Sequence, residues 1–150
     1  MTNPLSQMPC FALYSASRAV SQAYRAVLAE EDITYPQFLV LVALAAEGES
    51  SVSALATEMF LDSGTLSPLL KRLESRHLLT RTRHSGDERT VVVALTPEGL
   101  VLHERVTEKV DCLNPAYGFA DLDEVQDLLA KLQRITGGMA ELTASVRSAQ

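Results

Sequence analysis

The chain has no tryptophan and only four phenylalanines and four tyrosines in 150 residues, so aromatic packing can organise only a few points of the fold. No apolar run reaches the roughly 20 residues of a membrane span. The N-terminus lacks the basic start and apolar stretch of a signal peptide. A cytoplasmic protein with no membrane association is expected. Cysteine is scarce too, with Cys10 and Cys112 the only two. In a reducing compartment such cysteines are more often reactive than structural. No metal or cofactor is expected. Acidic residues outnumber Lys and Arg by 19 to 13, a net charge of −6 that argues against a general polyanion binder. Internal repeats, low-complexity tracts and linkers are absent, which fits one compact subunit over residues 1–150.

The average charge hides an asymmetry. Residues 71–89 hold six cations (Lys71, Arg72, Arg76, Arg81, Arg83, Arg89) against Glu74, Asp87 and Glu88, a local +3 that leaves −9 on the rest. A basic patch on an acidic body is the footprint of a protein that meets nucleic acid with one face. A solvated charged helix would show the same balance, so the pattern of elements has to decide.

Residues 9–30 read as a helix, with Leu13, Ala16, Val20, Ala23 and Val27 on a narrow apolar seam. Thr34-Tyr35-Pro36-Gln37 is a helix start with a capping box. The strongly apolar helix that follows, to about Ala46 with Gly48 ending it, implies burial on most sides. A short helix over about Val52 to Phe60 follows, capped by Ser51 or Ser53, then a turn at Leu61-Asp62-Ser63-Gly64. The next helix runs from about Thr65 to His77, its start held close to Ser63–Thr65 by Pro68. Leu66, Leu69, Leu70 and Leu73 face inward there. Ser63, Thr65, Ser67, Lys71, Arg72, Ser75 and Arg76 are left outside.

The period then changes to two. Residues 79–83 and 90–95 are strands, joined by a loop at His84–Arg89. Thr96-Pro97-Glu98 starts a helix to about Leu113, stopped by Asn114-Pro115. Asp121 caps the last helix, whose seam is Leu122, Val125, Leu129, Leu132, Met139, Leu142 and Val146. Gly137-Gly138 inside that pattern costs roughly 2 kcal/mol in an exposed helix. Either the helix breaks there or another backbone approaches closely.

The fold class is mainly α with a small β hairpin (α+β): a winged helix-turn-helix over about residues 34–96 between dimerisation helices at about 9–30 and 97–147. The second helix of the motif offers hydroxyls early and cations later, which suits the major groove. Arg81, Arg83 and Arg89 on the hairpin suit phosphate contact or the minor groove. The outer helices carry seams that need partners, and a second copy of the chain is the natural one.

Cys10 lies where the first helix begins, facing unpaired backbone N–H groups and the positive end of the macrodipole. That position tends to make a cysteine reactive. The alternative is a small hydrophobe at a packing surface.

Asp87-Glu88-Arg89 followed by Leu95-Thr96-Pro97-Glu98-Gly99 resembles the wing-to-helix pattern of MarR-family transcription regulators. Cys10-Phe11-Ala12-Leu13-Tyr14, Ile33-Thr34-Tyr35-Pro36-Gln37 and residues 61–72 resemble more narrowly the organic hydroperoxide resistance regulators (OhrR) of the two-cysteine type. The resemblance covers about residues 8–105. It implies a homodimeric repressor whose reduced form holds double-stranded operator DNA and whose Cys10 is oxidised by an organic hydroperoxide. It places Phe11, Tyr14, Tyr24 and Tyr35 in a sensor pocket, with Tyr24 and Tyr35 bonding the sulfur from the other subunit. It also implies DNA contact by Ser63, Thr65, Ser67, Lys71, Arg72, Arg76, Arg81, Arg83, Asp87 and Arg89. Cys112 stands where such regulators carry a resolving cysteine, which would form an intersubunit disulfide. Relatives without one use a low-molecular-weight thiol instead, and a buried bystander at 112 is the third option.

Helix geometry bears on the pocket independently. Cys10 and Tyr24 are fourteen residues apart, about 21 Å along one helix. They can meet only if two copies pack antiparallel. Three other readings stay open: a regulator answering a small-molecule ligand, one answering several oxidants, and a thiol peroxidase. The enzyme reading is disfavoured because no redox Cys-x-x-Cys is present and the strands make only a hairpin.

Overall fold

The computed structural model describes residues 4–149 apart from 85 and 86, with the side chains of 84 and 87–89 also outside the description. Its elements are α1 (Pro9–Leu28), α2 (Tyr35–Glu47), β1 (Glu49–Ser51), α3 (Val52–Glu58), α4 (Ser63–Ser75), β2 (Leu79–His84), β3 (Asp87–Leu95), α5 (Pro97–Val110) and α6 (Leu122–Ser148), with 3-10 turns at Pro4–Gln7, Ala29–Glu31 and Asp111–Tyr117. The chain forms two compact units, divided after Leu113.

In the first unit each helix starts where a side chain can satisfy its free N–H groups. The Thr34–Gln37 capping box forms: the Gln37 side chain accepts from the Thr34 N–H at 2.9 Å, and the Thr34 hydroxyl accepts from the Gln37 N–H. Ser51 caps α3, Asp62 caps α4 and Thr96 caps α5. Gly48 ends α2 at φ +79°, which a glycine adopts without strain.

The core is one cluster in which Leu28, Val40, Leu41, Leu55, Leu66, Leu70, Leu73, Val93 and Val106 are fully buried. Three of these line the inner face of α4, as its spacing predicts. Burying each such leucine contributes about 1.5–3 kcal/mol, which seats α4 firmly on the core. α2 is buried on most sides, as expected: Gln37, Phe38, Val40, Leu41 and Leu44 are buried, and one stripe through Leu39 and Val42 is left exposed.

The wing carries one strand more than expected. β1 pairs antiparallel with β3 from Glu49↔Ala94 to Ser51↔Val92, giving the order β1-β3-β2. The β2–β3 pair runs from Leu79↔Leu95 to His84↔Asp87, with an irregularity at Arg83/His84. β1 is three polar residues between two helices, too short and too hydrophilic to show a period of two.

α5 closes the base of the wing. The Thr96 N–H donates to the Leu78 carbonyl at 3.1 Å, and its hydroxyl donates to the His77 carbonyl at 2.7 Å. α5 ends at Val110, short of the expected Leu113, and the chain tightens into a 3-10 turn that carries Asn114 and Pro115 rather than stopping at them.

In the second unit α6 is a single helix of 27 residues with none buried. Asp121 caps it through the Glu124 N–H at 3.0 Å. The helix runs unbroken through Gly137-Gly138, and a Cβ at either glycine would meet nothing within 4 Å. Neither outcome expected of that pair, a break or a close backbone, is present in the single chain. Leu122, Leu129, Met139, Leu142 and Val146 of its seam are all at least half exposed.

One glycine of the first unit is fixed by packing. A Cβ on Gly99 would lie 1.9 Å from the Leu78 carbonyl oxygen, and backbone on both sides leaves no side chain to yield. Gly99→Ala should therefore lose about 1–3 kcal/mol or more. Urea unfolding followed by circular dichroism reads this directly, and a midpoint equal to wild type would show that α5 does not sit so tightly on Leu78.

Candidate functional site

Two sets of residues carry the expected chemistry, one around Cys10 and one on α4 and the wing. Cys10 is the second residue of α1, exposed and unpaired. The Met8 carbonyl accepts the N–H groups of Phe11 and Ala12. The Phe11 and Tyr14 rings lie 6.4 Å apart, and the Arg18 guanidinium sits 5.7 Å from the Tyr14 centroid. Tyr24 and Tyr35 form a separate pair with centroids 4.3 Å apart, and Phe38 packs on Tyr24 at 5.8 Å. α1 is uninterrupted from Pro9 to Leu28. Cys10 and Tyr24 are thus about 21 Å apart along one helix and do not meet within a subunit. Cys112 is also free and exposed, in the turn after α5.

The reading helix α4 presents its expected residues unequally. Ser63 and Lys71 are exposed, and Ser67 is half-buried. Thr65 is occupied by the cap: its N–H and hydroxyl donate to the two oxygens of Asp62 at 2.9 and 2.8 Å. The Thr65 hydroxyl and then its N–H hold the Asp62 carboxyl below the ordinary aspartate value. On the wing Arg83 is exposed, whereas the side chains of Asp87 and Arg89 lie outside the described residues.

Three other arginines are engaged by the protein itself. Arg76, expected on the outer face, is half-buried and donates from Nη1 to the Asp32 carbonyl at 2.6 Å and from Nη2 to the Glu31 carbonyl at 3.0 Å. These carbonyls sit where α1 runs out, so they lack helical partners. Arg72, though exposed, pairs with the Asp32 carboxylate at 3.0 Å. Arg81 is 3.7 Å from Glu74, and its buried Nε has no hydrogen-bond partner among the described residues.

The sequence reading missed the acidic segment Glu30-Glu31-Asp32, on which these contacts converge. Arg105 of α5 donates to one Glu31 oxygen from Nε and Nη2 at 3.1 and 2.7 Å, and Lys109 reaches the other at 2.6 Å. Lys109 also holds Glu30 at 3.0 Å. The signal was present as two cation pairs four residues apart, Arg72/Arg76 and Arg105/Lys109, each on one helix face. Beside this segment lies an open cavity of about 380 Å³, lined by Arg25, Asp32, Thr34, Tyr35 and Arg72 among others.

Among the described residues no group of three or more His, Cys, Asp or Glu could hold a metal ion, and no helix is long and apolar enough to cross a membrane.

The family "Transcriptional regulator SarA/Rot" matches residues 22–106, more than half of the chain. The chain belongs to this family. As a SarA/Rot regulator it is a winged-helix transcription regulator of the wider MarR/SarA class, which binds DNA. It is 44% identical over 131 residues to the HTH-type transcriptional regulator TtmR of Methylorubrum extorquens, a match covering 85% of this chain but only 65% of TtmR. It is 40% identical over 104 residues to the organic hydroperoxide resistance transcriptional regulator of Bacillus subtilis, covering 69% of this chain and 71% of that one. In structure it is similar to AbfR of Staphylococcus epidermidis, solved on DNA in its reduced form, with TM-score 0.79, 32% identity, and 90% and 94% of the two chains covered. AbfR has also been solved on DNA in an overoxidised form.

The acidic segment makes stability pH-dependent. Hydrogen bonds from Arg105 and then Lys109 pull the Glu31 carboxyl below its ordinary value of 4.5. A carboxylate whose folded pKa is depressed contributes fully above the ordinary value, and the contribution is lost as pH falls through the depressed one. The thermal midpoint of wild type should therefore drop between about pH 5 and pH 3. In Glu31→Gln the drop should be shallower, and equal slopes in the two proteins would remove Glu31 from this account.

Proposed function

We propose that this regulator is a peroxide-sensing repressor that binds double-stranded operator DNA as a homodimer and releases it when Cys10 is oxidised by an organic hydroperoxide. The observation that carries the reading is the free, exposed thiol on the first turn of α1, in a chain related to an organic hydroperoxide resistance regulator. The Cys10 sulfur attacks one peroxide oxygen, the O–O bond breaks, and the organic half leaves as an alcohol. The sulfenic acid then condenses with the partner's resolving thiol, which we assign to Cys112, forming an S–S bond and releasing water. A low-molecular-weight thiol would give a mixed disulfide by the same step.

Two features support the dimer. The seams of α1 and α6 carry exposed leucines, and Cys10 can meet a Tyr24–Tyr35 pair only on another copy. Ser63, Ser67 and Lys71 of α4 and Arg83 of the wing are the described residues that best suit DNA contact, and Arg89 belongs to the same proposed set. The chain acts in the cytoplasm and is not an enzyme: excess hydroperoxide and reductant should give one stoichiometric oxidation, not turnover. The cavity beside Tyr35 favours a second reading, in which a small organic ligand is the signal.

One variant separates these readings. Cys10→Ser should bind operator as tightly as wild type and no longer release it with cumene hydroperoxide, read by fluorescence anisotropy. Release that persists would leave the ligand reading, or another oxidant target, in its place. On non-reducing gels, a peroxide-induced covalent dimer should require both Cys10 and Cys112. A monomer band in oxidised wild type would assign the small-thiol route. Lys71→Ala and Arg83→Ala should each weaken binding and lower the slope of log affinity on log salt by about one.

A further inference from the structure

The six-residue connector between α1 and α2, residues 29–34, is gripped at Glu30, Glu31 and Asp32 from α4 and α5. The Tyr24–Tyr35 pair straddles it, one ring from each helix. From α4, Arg76 forks onto the Asp32 and Glu31 carbonyls and Arg72 holds the Asp32 carboxylate. From α5, Arg105 and Lys109 hold Glu31. Asp32 sits at φ +50°, a left-handed conformation that aspartate adopts more readily than most residues with a side chain. The grips on its carbonyl and carboxylate hold the connector in this path. Arg72 and Arg76 lie one turn apart toward the C-terminal end of α4, whereas Ser63 opens the other end.

We propose that Arg72 and Arg76 are positioning residues and not DNA contacts: they clamp the far end of the reading helix to the α1–α2 connector, so that movement of Tyr35 against Tyr24 reaches α4 through Asp32. For its input the inference rests on the redox reading above; for its output it rests on the clamp alone. On this proposal the connector switches between the arrangement seen, with Asp32 held, and one with Asp32 released. Each biases the angle at which α4 enters the groove, the kind of element that can couple two sites.

A double-mutant cycle on the reduced full-length protein tests the clamp. Operator affinity is measured across a salt series for wild type, Arg72→Gln, Asp32→Asn and the double variant. The Arg72–Asp32 pair is exposed, so all four proteins should fold, with thermal midpoints as the control. Each single change should weaken binding about two- to fivefold. The double variant should be no weaker than either single one, and the salt slope should not change. Arg76→Lys keeps its charge but cannot fork onto two carbonyls, so it should weaken binding more than Arg72→Gln does.

A slope lower by about one in Arg72→Gln, with tighter binding in Asp32→Asn, would overturn the clamp, because Arg72 would then be a phosphate contact for which Asp32 competes. Additive losses, or unchanged affinity throughout, would overturn it as well. The coupling is read in a second arm, as the ratio of operator affinity before and after cumene hydroperoxide. That ratio should shrink at least about twofold in the double variant. An unchanged ratio overturns the coupling and leaves the redox reading standing. A wild type that ignores peroxide overturns the redox reading and the coupling's input, while the cycle on reduced protein still decides the clamp.

Discussion

The hold of two helices on one short connector ties α4 and α5 to the end of α1. Arg76 donates to two backbone carbonyls that the end of α1 leaves without helical partners. Hydrogen bonds to a charged group contribute about 1.5–3 kcal/mol each, and an exposed ion pair such as Arg72–Asp32 only about 0.2–1 kcal/mol. The fork is therefore the anchor and the ion pair the adjustable part. On the opposite side Glu31 is mostly covered, with 10% of its side chain exposed, and takes both cations of α5. The connector thereby fixes α4 against α5 without belonging to the apolar core, which lies beneath all three.

This arrangement gives a DNA-reading helix two kinds of support that respond differently to perturbation. Its inner face, Leu66, Leu70 and Leu73, is fully buried, and close-packed interiors do not deform continuously. Its flank is held by polar contacts near the surface, which exchange readily. A signal arriving at α1 or α2 has little leverage on the leucines and direct leverage on the flank. The left-handed residues bounding the motif (Phe60 before α4 and His77 after it) mark the points where the backbone is forced to turn.

Most of the fold was legible because it rests on local signals. The Thr34–Gln37 box, the Thr96 and Asp121 caps, and the leucine face of α4 each depend on residues within a few positions of one another. What escaped was non-local or lacked a period. β1 is Glu49-Ser50-Ser51, recognisable only by its pairing with β3. The inward turn of Arg76 depends on Glu31 and Asp32, some forty-five residues away in sequence. Gly137-Gly138 misled for a related reason: helix propensity predicts a cost, not a break, and α6 tolerates it over 27 residues. The site divided in the same way. Cys10 was placed by the helix start beside it. The aromatic residues read as one pocket fall into two groups at opposite ends of α1, because sequence reveals a helix face but not which copy of the helix supplies it.

The engaged arginines also change what the basic segment means. Its six cations suggested a strongly attractive face, but Arg72, Arg76 and Arg81 are engaged by Asp32, by the connector carbonyls and by Glu74. Among the described residues Lys71 and Arg83 are left to meet phosphate freely. Each neutralised phosphate adds about 0.9 to the salt slope, so a subunit with few free cations gains little non-specific affinity, and the acidic remainder of the chain lowers it further. On the function proposed above, discrimination then comes from contacts that carry sequence information, for which the exposed Ser63 at the start of α4 is available. Those contacts tolerate little misplacement. A reader that relies on them more than on bulk charge gains specificity from a rigid seating of α4, and it can be switched by a small change in that seating. The connector clamp is the contact best placed to supply both.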